Sequence, residues 1–286
     1  FDQLRFGSAF YGLFPFDAVN NNAFYSASVN KSVAFSTYNS LQAKVGKRMA
    51  QNLQINGAYT WSHAIDNASD PLVPGAGSRS YPRNSFNLSA ERGNSDFDLR
   101  QRLVIDYILN IPLGPGHKLL SSGVLGKVFE SWELAGISTF QTGHPYTAFG
   151  NVDTEHTGVS SRLDLIGKPV KATGSCTAVD GCPTGVSIDA FGIAPFGRGG
   201  NSGRNSFSGP GYSNWDMVLS KRTKIHESMN LETRFEFFNL FNQVQFAMPG
   251  SAWSDPGTFG ISTSTITRPD GTTSARQIQV GMKLHF

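Results

Sequence analysis

Apolar and polar residues alternate along seven separate stretches of the chain. In the last, Arg276 to Phe286, one parity holds Ile278, Val280, Met282, Leu284 and Phe286, and the other Gln277, Gln279, Gly281, Lys283 and His285. Successive side chains of a β-strand point to opposite faces, so this period marks a strand with one apolar face. Tyr38 to Arg48 repeats it, with Leu41, Ala43 and Val45 against Ser40, Gln42 and Lys44. Leu53 to Ser62 sets Leu53, Ile55, Gly57, Tyr59 and Trp61 against Gln54, Asn56, Ala58, Thr60 and Ser62, and the two stretches read as a hairpin. Gln101 to Ile111 sets Leu103, Ile105, Tyr107 and Leu109 against Arg102, Val104, Asp106 and Ile108. Trp132 to Thr142 offers Trp132, Leu134, Gly136, Ser138 and Phe140, and Asn214 to Lys224 offers Trp215, Met217 and Leu219. Met229 to Phe238 sets Leu231, Thr233, Phe235 and Phe237 against Glu232, Arg234 and Glu236.

The connections add a second regularity. Residues 1–37 have no sustained period and read mostly as loop. After that, tight turns at Met49-Ala50-Gln51-Asn52 and Ile225-His226-Glu227-Ser228 and an intermediate link through Pro112, Pro115 and Gly116 fall at one end of an antiparallel meander. The long polar segments 63–98, 143–212 and 239–274 all fall at the other. Transmembrane β-barrels have this asymmetry, with brief periplasmic turns and extended outer loops. A strand of about ten residues spans roughly 33 Å and, tilted by about 45°, rises roughly 23 Å, enough for the apolar band of an outer membrane.

The pattern therefore predicts an all-β, up-and-down transmembrane barrel segment with its C-terminus at the short-turn end. Trp61, Phe140, Trp215 and Phe237 fall toward the long loops and Tyr107, Trp132 and Phe286 toward the short turns, the places of two lipid-facing aromatic girdles. Arg102, Asp106, Glu232, Arg234 and Glu236 share the opposite, lumen-facing side, where Glu232, Arg234 and Glu236 suit salt-bridged scaffolding better than ligand contact. A soluble sheet with one wet face is the competing reading, and it needs helices or a second sheet over the apolar face. An odd number of strands leaves open edges that lipid cannot satisfy, so the first and last are expected to pair with strands outside this chain, as in the C-terminal portion of a larger barrel. The chain opens on Phe1 with neither an initiator Met nor a secretory signal, as a mature form or a piece of a longer protein does.

Composition agrees with strands and turns. Only 16% of residues are charged, against roughly a quarter in ordinary domains. A net charge of +3 gives no reason to expect nucleic acid, and no apolar run approaches the roughly 20 residues a membrane helix needs.

Several strings resemble a known family. Gln279, Gly281, Leu284 and terminal Phe286 look like the C-terminal signal read by the outer-membrane barrel assembly machinery. Tyr38-Asn39-Ser40-Leu41-Gln42, Gly57-Ala58-Tyr59-Thr60-Trp61-Ser62, Gly200-Asn201-Ser202-Gly203-Arg204-Asn205, Gly209-Pro210-Gly211 before Trp215-Asp216, and Arg234-Phe235-Glu236-Phe237-Phe238-Asn239-Leu240-Phe241-Asn242 resemble the C-terminal third of TonB-dependent outer-membrane receptors. The nearest likeness is to the Oar-like group with a carboxypeptidase-regulatory-like domain. The resemblance implies a whole protein of roughly 22 strands with an N-terminal plug and a box that engages TonB, importing a scarce solute such as a carbohydrate, peptide or metal chelate. It implies no cofactor and no enzymatic activity. Two alternatives stand beside it: a structural or adhesive outer-membrane barrel, and a soluble secreted glycan-binding β-protein.

Candidate chemistry is sparse. Cys176 and Cys182, among Gly174, Gly181 and Pro183, suit a small disulfide loop in an oxidising compartment; a metal site needs more ligands and a redox motif closer cysteines. His63 with Asp66, or Asp153 with Glu155 and His156, would serve acid–base or metal chemistry only if folded together, and such groups are usually solvated loop residues. Ser121 to Lys127 superficially resembles a phosphate loop but lacks its first Gly and the hydroxyl residue after Lys127.

Overall fold

Each of the seven alternating stretches forms a strand, and together they make one antiparallel sheet whose spatial order is the chain order. The strands are β1 (Ser36–Arg48), β2 (Leu53–Asp66), β3 (Gln101–Asn110), β4 (Trp132–Gln141), β5 (Tyr212–Lys224), β6 (Asn230–Phe238) and β7 (Gln277–His285). This is a computed structural model, and it describes residues 2–5, 28–48, 52–69, 82–84, 87–155, 157, 159–177, 179–226, 229–267 and 274–286. The sheet is open: β1 and β7 pair on one side only, so the seven strands do not close into a barrel.

Register carries the alternation across the whole sheet. Residues directly opposite in an antiparallel pair share a face. Leu53 faces Leu109, Leu109 faces Leu134, Leu134 faces Leu219, Leu219 faces Phe235 and Phe235 faces Val280. The apolar positions of all seven strands thus form one continuous surface. A slip of one residue in any pair would put that strand's apolar set on the wrong side. No second layer covers this surface among the described residues, and Leu41, Val45, Ile278, Val280 and Met282 are each 58–72% exposed.

The buried apolar cluster lies elsewhere, in the long loops. Tyr146, Ala148, Leu163, Ala190, Phe191, Phe207 and Phe259 pack together, with Phe191 edge-on to Phe207 and Phe259 at centroid distances of 5.1 and 5.3 Å. Two-residue pairings hold the loops: Pro145–Tyr146 with Phe207–Ser208, Asp164–Leu165 with Phe191–Gly192, and Cys182–Pro183 with Ile261–Ser262. Among the described residues the sheet therefore has no core of its own, while the loops have one.

Several boundaries differ from the sequence reading. Asp2–Arg5 pairs with Ser28–Lys31 inside the segment read mostly as loop, and β1 starts at Ser36. Strand β2 runs past Ser62 to Asp66, because His63 to Asp66 keep their ladder with Ser36 to Asn39 although their side chains break the apolar period. The segment 63–98 contributes a 3-10 turn at Leu88–Glu91 and the pair Gly93–Asn94, which extends the sheet beside Ile65 and Asp66. Tyr212, assigned to a loop, opens β5 opposite Gln141. The link between β3 and β4 holds a short helix, α1 (Gly123–Phe129), in place of a phosphate loop. Most of the two tight turns, Met49 to Gln51 and Glu227 to Ser228, lies outside the described residues.

The neck of the longest loop is tight. A Cβ on Gly143 would lie 2.0 Å from the Gly209 carbonyl oxygen and 2.6 Å from that of Pro210, both backbone atoms. Gly143→Ala is expected to force the two ends of this loop apart and lower stability by about 1–3 kcal/mol. Gly281→Ala, where a Cβ would meet nothing within 4 Å, should change it by less than about 0.5 kcal/mol. Denaturant unfolding of both variants in detergent checks the contrast.

Candidate membrane interface and loop cap

The aromatic residues of the apolar face fall in two groups. Phe140 sits edge-on to Trp215 at 5.5 Å, and Trp215 to Phe241 at 5.6 Å, at the long-loop end, with Trp61 and Phe237 in the same half of the sheet. Tyr107 lies opposite Ile55 and Gly136 toward the short turns, Trp132 stacks on Phe235 at 6.4 Å, and Phe286 follows the end of β7, 88% exposed. A Cβ on Gly136 would lie 2.5 Å from the Tyr107 hydroxyl, so the ring lies over the glycine.

The other face carries charge in pairs. Arg234 meets Glu236 at 3.1 Å and Glu232 at 3.9 Å, while Glu232 also faces Arg222 at 3.9 Å and His285 at 3.2 Å. Asn56 donates to Asp106 at 2.7 Å, and Arg102 lies opposite Thr60 and Gln141. Gln279 and Gly281 belong to this face and Leu284 to the apolar one.

Where β2 leaves the sheet, an arginine–carboxylate spine fastens the long loops to it. Arg204 pairs with the Asp66 carboxylate and donates to the Asp66 carbonyl and the Glu91 carbonyl, each at 2.7 Å, and to Ser69 Oγ at 3.2 Å. Arg162 pairs with Glu91, both nearly inaccessible, and donates to the Ala90 carbonyl at 3.1 Å. Arg83 meets Glu155 at 2.9 Å and donates to the Gly200 carbonyl at 2.9 Å. Asn205, in the left-handed region at φ 51°, donates its amide N–H to Thr147 Oγ1 and its side-chain amide to the Asn94 carbonyl, each at 2.8 Å. Burial lowers the pKa of the Arg162 guanidinium, and the Glu91 charge opposes that shift.

A second clasp is more accessible. Arg198 donates to both oxygens of Asp164, at 2.8 and 2.5 Å, and the Asn201 N–H adds a bond at 2.9 Å. The Arg198 hydrogen bonds hold Asp164 below the ordinary aspartate range. A carboxylate with a depressed folded pKa contributes its stability above the unfolded value and loses it as pH falls through the folded one. Protease resistance of the loops is thus expected to hold constant down to about pH 4 and to decline below it in the wild type. In Asp164→Asn the decline attributable to this clasp should be absent.

Two strings quoted for the family resemblance meet here. The Asn239 N–H donates to Asp216 Oδ1 at 2.9 Å, and the Asn239 amide donates to the Gln243 and Ser274 carbonyls, each at 2.7 Å. Asn239 and Asn242 both have φ 52°, a conformation asparagine tolerates better than most residues, and Asn242 Oδ1 accepts from the Arg276 N–H at 3.0 Å. Phe235 and Phe237 serve the sheet, whereas the asparagines close the ends of the loop after β6.

The other candidates part company. Cys176 and Cys182 are joined as a disulfide. His63 and Asp66 have opposite parity: His63 lies beside Asn94 and Arg100, while Asp66 turns to Arg204. Asp153 accepts from the Thr157 N–H at 3.0 Å, Glu155 pairs with Arg83, and His156 is outside the described residues. Among the described residues no three His, Cys, Asp or Glu side chains converge as a metal site. No helix among them is long and apolar enough to cross a membrane.

A family model described as an outer membrane beta barrel domain matches residues 11–279. The chain belongs to that family. No curated protein and no solved structure matches it. The outer membrane beta barrel domain accounts for a sheet with an exposed apolar face and no core beneath it, and it places the protein in the bacterial outer membrane. It displaces the soluble secreted alternative.

The C-terminal residues bear a direct test in this setting. Phe286→Asp is expected to lower membrane insertion at least about tenfold more than Lys283→Ser, because the aromatic end belongs to the proposed assembly signal and Lys283 to the charged face. Equal insertion of the two variants, measured as the heat-modifiable fraction in outer-membrane preparations, counts against the signal.

Proposed function

We propose that this chain is the C-terminal part of the barrel of a TonB-dependent receptor, similar to the Oar-like group, that takes up a scarce solute. In this reading the apolar face lies against lipid, the charged face lines a lumen, the long loops face outward and the C-terminus faces the periplasm. The observation that carries it is the joining of the three long excursions into one cap, with its own apolar cluster and arginine–carboxylate spine, at a single end of the sheet. Such a cap can present a shaped surface to a solute, and the strings around Arg204, Asp216 and Asn239 that resemble these receptors supply its fastenings. The plug and TonB box belong to the rest of such a receptor, and the assembly machinery is the partner of the Gln279 to Phe286 signal.

The test is accumulation, in cells carrying the full-length receptor, of labelled ferric chelates, oligosaccharides and peptides with TonB present or deleted. TonB-dependent accumulation of one class is the expected result. Surface binding unaffected by TonB, without accumulation, would favour the adhesive reading.

A further inference from the structure

The link between β3 and β4 holds apolar residues that neither the sheet nor the cap uses. Val124, Leu125, Val128 and Phe129 of α1 are 78%, 60%, 48% and 41% exposed, and Leu119 and Leu120 just before it are 64% and 39% exposed. At about 100° per residue the four helical positions fill one contiguous stripe, with Lys127 on the opposite side and Gly126 turned inward. A helix folded for water would bury this stripe.

The helix is not a loose excursion. Lys221 Nζ donates to the carbonyls of Lys127, Val128 and Glu130 at 3.0, 2.6 and 3.1 Å, satisfying groups a helix C-terminus leaves free. Trp132 Nε1 donates to the Val128 carbonyl at 2.9 Å, and the Lys221 ammonium lies 5.6 Å from the Trp132 ring centroid. Lys221 and Trp132 face each other two residues along from Leu219 and Leu134, so both belong to the apolar face. These bonds fix α1 to the short-turn rim of that face.

We propose that α1 is an interfacial anchor whose apolar stripe lies in the phospholipid leaflet at the short-turn end of the sheet. The proposal rests on the reading that the apolar face meets lipid. Short amphipathic helices bind this way, apolar side in the acyl boundary and cations among the headgroups, and the exposed Lys118 and Lys127 are placed for the latter. The fused rim gives the barrel a fixed depth, with Trp132 at the boundary as aromatic residues prefer.

Single cysteines at Leu125, Lys127 and Leu134, labelled with a fluorophore in the full-length protein in phosphatidylethanolamine–phosphatidylglycerol vesicles, test it. The quenchers are lipids brominated near the top of the acyl chain, or aqueous iodide. The Leu125 label should be quenched by bromolipid about threefold more than the Lys127 label, and shielded from iodide. Lipid quenching at Leu134 with the Leu125 label as open to iodide as Lys127 would overturn the anchor while leaving the membrane-facing sheet intact. Absence of lipid quenching at Leu134 as well would overturn both.

Discussion

Arg204→Ala is expected to unfasten the long loops from the sheet at a cost of about 3–5 kcal/mol, because it leaves buried carboxylates without their cation. The Asp66 and Asp96 side chains are 4% and 7% exposed, and the Arg204 side chain itself is 9% exposed. One guanidinium serves the Asp66 carboxylate, two backbone carbonyls and Ser69 at once, and no other described side chain bridges the same groups. Arg204→Lys retains the charge but not the planar fork that reaches these acceptors in different directions, so it should recover only part of the loss. Arg234→Ala is the control. Its ion pairs join side chains that are 48% exposed on the arginine side, and its loss should cost no more than about 1 kcal/mol. Limited proteolysis of the loops and thermal unfolding in detergent separate the cases. Equal effects of Arg204→Ala and Arg234→Ala would mean that the spine does not hold the cap.

A charge on the apolar face should be costly where the same charge one residue away is not. Leu219 lies between Leu134 and Phe235, whereas Val218 lies between Ala135 and Glu236 on the opposite face. Both are aliphatic in the wild type, so replacement by arginine changes the same chemistry in each. Leu219→Arg should destabilise the protein folded in vesicles by about 2–4 kcal/mol, the cost of an arginine near the middle of the bilayer. Val218→Arg should cost less than about 1 kcal/mol, since its charge meets Glu236 and water. Folding titrations into phosphatidylcholine vesicles provide the measurement.

The strands were legible because a sheet with one apolar face shows a two-residue period, and each of the seven stretches keeps most of it despite exceptions such as Val104, Ile108, Val218 and Lys221. The faces followed from the same pattern, but the register did not: a slip of two residues would also keep Leu109, Leu134, Leu219 and Phe235 on a common face. The cap was not legible in this way. Its apolar cluster draws Tyr146, Phe191, Phe207 and Phe259 from distant points without a period, and periodicity detects only residues that share an element. The spine has the same difficulty: Asp66, Glu91, Arg162 and Arg204 look like ordinary loop charges until the chain brings them together. The available hint was the Gly200 to Asn205 string. Its glycine approaches backbone so closely that a Cβ on Gly200 would lie 2.0 Å from the Arg162 carbonyl oxygen. Helix α1 escaped notice because Pro112, Pro115 and Gly116 mark the start of its link as a turn and the helix itself is brief.

A nitroxide scan of residues 214–221 in the vesicle-reconstituted protein tests most directly whether one face of the ribbon meets lipid and the other water. Accessibility to oxygen, which concentrates in the bilayer, should peak at Trp215, Met217 and Leu219, and accessibility to a water-soluble nickel chelate at Asp216, Val218 and Ser220. Two curves that rise and fall together, without a two-residue period, would contradict the account.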